Sequence, residues 1–211
     1  RADLVRSSLR VLTDHAAAQG RSVEVRTADG RELGEAEPAA YGRVLVDAPC
    51  TGLGALRRRP EARWRRTPSD LAQLGPLQRS LLSSALDAVA PGGVVGYATC
   101  SPHLAETRFV VEDVVKRRED IEVLDARPLF TAAAGDHLTD LGAGPYVQLW
   151  PHRHGTDAMF FALLRRRQGV GRVIHCYGDG GLAEDWALVH RRADQMHRTA
   201  RNADARGDRF L

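Results

Sequence analysis

The sequence predicts an α/β protein with a mostly parallel sheet, an antiparallel edge and helices packed against it. Three observations lead there. Short apolar runs at residues 44–46 and 94–97 read as buried strands, and stretches of helical periodicity separate them. Each run leads into a turn-forming cysteine segment: Asp47-Ala-Pro-Cys50-Thr-Gly52 after the first, Ala98-Thr-Cys100-Ser-Pro-His103 after the second. The pattern closes with two strand-like runs in succession, 146–150 and 158–164, the signature of an antiparallel addition to a parallel sheet.

Taken in order, Leu4, Val5, Leu9, Leu12 and Ala16 recur at helical spacing and predict a helix over 3–19, with Gly20 as its C-cap. Val23 and Val25 alternate with charged residues as a short strand, and Asp29-Gly30-Arg31 is a turn. Residues 31–42 read as polar loop or a short helix. Residues 43–47 form a strand whose apolar run predicts burial on both faces. Thr67-Pro68-Ser69-Asp70 is a helix start, with Gly75-Pro76 expected to break that helix and a second one to run from 76 to about 89. Pro91-Gly-Gly93 turns into a strand at 94–98. Residues 104–118 read as a helix with Phe109, Val110, Val111, Val114 and Val115 inward, 121–124 as a strand, and 128–144 as a long loop.

Composition narrows the function. The 211 residues are 43% apolar, with no uninterrupted apolar run of the roughly 18 residues a membrane helix needs. No signal-peptide pattern stands at Arg1. Three cysteines, an odd number, fit a reducing cytoplasmic setting better than a disulfide scaffold. The net charge is +3, and every basic residue but Lys116 is arginine. Six arginines crowd into residues 57–66, including Arg57, Arg58 and Arg59, with Trp64 among them. Guanidinium groups pair with phosphates and an indole stacks on bases, so this segment is a candidate RNA-binding surface. His152, His154 and Cys176 lack the spacing of a metal site, and no metal is expected.

In an open parallel sheet, ligands bind where the C-terminal ends of neighbouring strands face one crevice, which places Cys50 and Cys100 together there. Around them stand Asp29-Gly-Arg31, Trp64, Gln78, Pro91-Gly-Gly93, Leu149-Trp-Pro-His152, His154-Gly-Thr-Asp157 and Phe160-Phe161. This set, in this order, resembles the RsmB/Fmu/Sun family of RNA cytosine-5 methyltransferases over about residues 1–166; residues 167–211 stay unassigned. The resemblance implies a Rossmann-like methyltransferase sheet that uses S-adenosylmethionine (SAM). It implies that Cys100 is the nucleophile and Cys50 assists product release, and that Asp29 and Asp47 contact the cofactor or the target base. The partner implied is RNA, ribosomal RNA foremost, with its cytosine unstacked. Oligomeric state is not implied.

The chemistry matches the residue types. C5 of cytosine is a poor nucleophile until a thiolate adds at C6, and a thiol both attacks and leaves readily. A carboxyl group such as Asp47 would promote the addition by protonating or hydrogen-bonding N3. A second thiol serves as base for the C5 proton. The base must leave its stack to reach such a site, which favours single-stranded or opened RNA. The family's glycine-rich cofactor loop and its ribose-binding acid are expected before residue 1, so the sheet is expected to be N-terminally truncated and the chain alone to bind SAM weakly. A non-catalytic RNA-binding fragment is the alternative reading, and a DNA cytosine methyltransferase a more distant one.

Overall fold

The structure is a computed structural model that describes residues 14, 17–20, 24, 26–134 and 138–168. The expected helix over 3–19, the strand at 23–25 and the tail beyond 168 lie largely or wholly outside the described residues. Gly20 has φ 70°, as a C-cap requires.

Among the described residues, short helix α1 (Leu33–Ala36) follows the Asp29 turn, and strand β1 (Tyr41–Asp47) follows it. Then come α2 (Ala62–Arg65), α3 (Pro68–Ala88), β2 (Val89–Thr99), α4 (Arg108–Val115), β3 (Ile121–Leu124), α5 (Arg127–Ala134), β4 (Val147–Gln148), α6 (Pro151–His154) and β5 (Phe160–Arg166). The sheet order is β1-β2-β5-β3, with β4 also on β5. β1 and β2 are parallel; β5 runs antiparallel to β2, β3 and β4. The reversed strand is thus inserted beside β2, with β3 and β4 along its far side. The core gathers Leu82, Ala85 and Leu86 of α3, Val95 and Tyr97 of β2, Val110, Val111 and Val114 of α4, and Phe160, Ala162 and Leu164 of β5. No helix among the described residues is long and apolar enough to cross a membrane.

Several expectations are corrected. Gly75-Pro76 does not break the helix: α3 runs unbroken from Pro68 to Ala88. Pro76 is exposed, as is Ala72, whose carbonyl loses its amide partner, so water can satisfy it. The start of α3 is as expected, with the Thr67 N–H donating to Asp70 Oδ2 at 2.8 Å. β1 is not buried on both faces, because it is the margin of the described sheet and Leu45 is 69% exposed. β2 begins at Val89, not 94; Val89 already pairs with Tyr41, and Pro91-Gly-Gly93 sits in an irregularity before Arg43 pairs with Val94. Phe109 faces solvent because, at about 100° per residue, it lies on the side of α4 opposite buried Val110, Val111 and Val114. The segment read as loop at 128–144 contains most of α5, anchored on Ala126 and Phe130 in a second apolar cluster with Val147 and Leu149. The strand expected at 146–150 shrinks to two residues, since Trp150 already leads into α6.

Candidate active site

The two cysteine segments leave the sheet side by side. Asp47 pairs with Ala98, and the Ala48 N–H continues the ladder to the Ala98 carbonyl at 2.9 Å. Cys50 and Cys100 follow, with their sulfurs 3.3 Å apart. Both are free thiols and half-buried. Gly52, at φ 73°, turns the first segment back. The Gly54 N–H then bonds the Cys100 carbonyl at 2.9 Å, and the Gly54 carbonyl accepts from the Ala158 N–H at 2.9 Å. A Cβ on Gly54 would stand 2.0 Å from the Ala158 oxygen and 2.8 Å from that of Cys100, so only glycine fits this crossing of three segments.

The two thiols are pushed in opposite directions. The hydrogen bond from Cys50 pulls Cys100 down to about 7, against its burial and the charges of Asp47 and Asp157. Cys50 is pushed up, first by donating to Cys100, then by burial and by the negative charges of Cys100 and Glu106; a Gly52 N–H opposes this. Near neutral pH the favoured state is therefore a Cys100 thiolate accepting from a Cys50 S–H.

Behind the thiols lies a buried polar network. Glu106, fully buried, accepts from the Thr51 N–H at 2.7 Å and the Thr51 hydroxyl at 2.5 Å. Gln78 Nε2 donates to the Pro49 carbonyl at 2.9 Å and to Glu106 at 3.3 Å. The Tyr97 hydroxyl donates to the Glu106 carbonyl at 2.9 Å. Sequence reasoning gave Glu106 and Thr51 no role. A signal existed for Gln78: it shares the apolar face of α3 with Leu82 and Leu86, where an amide needs partners.

The other sequence-predicted residues fall in three places. Asp47, at the end of β1, is exposed, and its charge reaches Cys100. Asp29 is held in its own turn: Arg31 contacts both its carboxylate oxygens through the guanidinium and one through the N–H at 3.0 Å, holding the carboxyl down at about 2. Arg57 and Arg58 converge on buried Asp157, just before β5, with Nε–oxygen distances of 3.2 Å for Arg57 and 2.8 Å for Arg58. These contacts hold the Asp157 carboxyl below the usual range, Arg58 contributing most. Half of each arginine side chain remains exposed. Arg59 is exposed and Trp64 is 84% exposed, so the arginine segment is tied down at one end and open at the other.

Comparison with known proteins identifies the family and the fold. The profile of the 16S rRNA methyltransferase RsmB/F family matches residues 3–165. A protein of Mycobacterium tuberculosis (strain H37Rv) named as a methyltransferase is 58% identical over 166 residues, 79% of this chain and 33% of the relative. Ribosomal RNA small subunit methyltransferase F of Klebsiella pneumoniae is 34% identical over 143 residues, 67% of this chain and 29% of the relative. The chain thus spans about a third of the length of these curated relatives. Among solved structures, a methyltransferase homolog of Pyrococcus horikoshii superposes with a TM-score of 0.52 at 27% identity, over 69% of this chain and 45% of that one. NSun6 of Pyrococcus horikoshii, solved with SFG, shares the fold at a TM-score of 0.56 and 24% identity, over 76% of this chain and 39% of that one. The sheet is therefore of the Rossmann-like methyltransferase kind, and the chain belongs to the RsmB/F family of methyltransferases.

Proposed function

We propose that residues 1–166 carry the thiol chemistry of an enzyme that methylates C5 of cytosine in RNA, with ribosomal RNA, the substrate named for its relatives, as target. The observation that carries this reading is the 3.3 Å approach of Cys50 and Cys100 at the ends of two paired strands; the opposite directions in which the two thiols are pushed favour the proton on Cys50. A lone buried cysteine would be an inert small hydrophobe. A thiolate poised near neutral pH beside a proton-bearing thiol fits addition followed by elimination.

In this reading Cys100 Sγ bonds to C6 of the flipped base, and the electron pair of the C5–C6 double bond moves to C5. SAM supplies, when bound, the electrophilic methyl group that C5 takes. Once Cys100 is bonded to carbon its negative charge is gone, and with it the largest cause that holds the proton on Cys50, the bond to the Cys100 thiolate. Half-buried Cys50 can then give its proton to solvent water and, as thiolate, accept the one on C5, which restores its S–H form. The C5–C6 double bond re-forms as the Cys100–C6 bond breaks, returning the thiolate. Asp47 fits beside the base or the cationic donor, because its carboxylate is exposed and close enough for its charge to act on Cys100. Asp29 is the poorer fit to a cofactor, since Arg31 already fills both its oxygens. Arg59 and Trp64 are suited to holding RNA.

The test uses the full-length enzyme and its RNA. Cys100→Ala is expected to abolish methyl transfer. Cys50→Ala is expected to accumulate a covalent RNA–protein adduct on denaturing gels. Transfer that persists without Cys100 would refute the reading.

A further inference from the structure

We propose that Glu106 is a positioning residue for the second thiol: with Gln78 it clamps the backbone on both sides of Cys50 and sets a negative charge behind that sulfur. This rests on the division of roles between the two cysteines given above.

The clamp is explicit in the hydrogen bonds. The peptide before Cys50 is held at the Pro49 carbonyl by Gln78 Nε2, and the peptide after it at the Thr51 N–H by Glu106. The two holders also touch each other, Gln78 Nε2 to Glu106 Oε1 at 3.3 Å. Glu106 is fixed in turn by the Tyr97 hydroxyl on its carbonyl, from the strand that leads into Cys100. The same few residues therefore set the position of both sulfurs, although Thr51 and Glu106 lie 55 positions apart.

The charge of Glu106 is its second contribution. Glu106 has no exposed surface and, among the described residues, no ion-pair partner; its side-chain donors are Thr51 and Gln78. Burying a carboxylate on neutral donors alone is costly, and a glutamine could make several of the same contacts without that cost. What a glutamine cannot provide is a negative potential on Cys50. The groups that face Cys50 are Tyr97 from β2, Cys100 just after β2, and Glu106 from the turn behind it; the charges of Cys100 and Glu106 both favour its S–H form. When Cys100 is consumed in the adduct, Glu106 remains, and it keeps Cys50 a strong base for the C5 proton.

Alkylation by iodoacetamide, read cysteine by cysteine by peptide mass spectrometry from neutral to alkaline pH, tests this without RNA or cofactor. In the full chain, Glu106→Gln should raise the Cys50 rate about two- to threefold at mildly alkaline pH, the effect of a fraction of one unit in its titration. Gln78→Leu, which frees the Pro49 carbonyl but keeps the charge, should raise it several-fold. In the full-length enzyme with RNA, Glu106→Gln should accumulate adduct as Cys50→Ala does. A wild-type Cys50 profile in folded Glu106→Gln overturns the proposal. If that variant does not fold, an unchanged Cys50 rate in Gln78→Leu overturns it. The thiol profiles stand or fall whether or not the enzyme methylates cytosine. Failure of the functional reading shows instead as transfer in Cys100→Ala.

Discussion

Gly54 donates its N–H to the carbonyl of Cys100 at 2.9 Å, across 46 residues of chain, and so ties the turn after one thiol to the peptide of the other. This bond leaves no room for a side chain. Gly54→Ala would push a Cβ to 2.0 Å from the Ala158 oxygen, backbone that cannot swing away. The expected cost is at least about 1–3 kcal/mol, the range for overpacking a filled site. Thermal unfolding checks it, together with loss of fast Cys100 alkylation. A variant as stable and as reactive as wild type would contradict this packing.

The Cys100 thiol should titrate with a midpoint near 7 when followed by alkylation against pH. Reactivity rises with pH because only the thiolate attacks, so a lowered midpoint means more reactive protein at neutral pH. The sign for Cys50→Ala follows from the leading cause. Removing the S–H donor removes what pulls Cys100 down, leaving burial and the charges of Asp47 and Asp157 to act upward. The midpoint is therefore expected to move up, with Cys100 slower at neutral pH and regained at alkaline pH. An unmoved midpoint would mean that something other than Cys50 activates Cys100.

The two ends of the arginine segment should behave differently. Trp64→Ala and Arg59→Ala are expected to weaken RNA binding with little change in stability, because both side chains are exposed. Asp157→Asn is expected to lower the melting temperature, because Arg57 and Arg58 lose their common anchor. Since the Asp157 carboxyl is held below its ordinary range, its contribution is present above that range and lost as pH falls through the lowered value. Filter binding across salt concentrations and thermal scans across acid pH separate the two effects. RNA affinity unchanged in the Trp64→Ala/Arg59→Ala double variant would remove this segment from the interface.

Much of the site was legible along the chain. Apolar runs ending in Cys50 and Cys100 placed both thiols at the C-terminal ends of neighbouring strands, and β1 and β2 do pair in parallel register there. The Thr67 start of α3 was legible from its capping residues. The break expected at Gly75-Pro76 was not real, because proline disrupts a helix interior only when the lost bond and ring clash cannot be absorbed, and Pro76 faces water. Leu45 read as buried because an apolar strand looks the same at the margin of a sheet as at its centre; what lies beside it decides.

The sequence by itself determined the fold class and the family, and it put Cys50 and Cys100 just after neighbouring strands, because these rest on local periodicity and on short segments recognisable by their residue types. Only the tertiary structure decided how closely the thiols approach and what holds them. Those outcomes depend on bonds between residues far apart in the chain: Thr51 with Glu106, Gln78 with Pro49, Arg58 with Asp157. Hydrogen bonds and charge effects change over fractions of an ångström, and the order of residues along a chain carries no such distances.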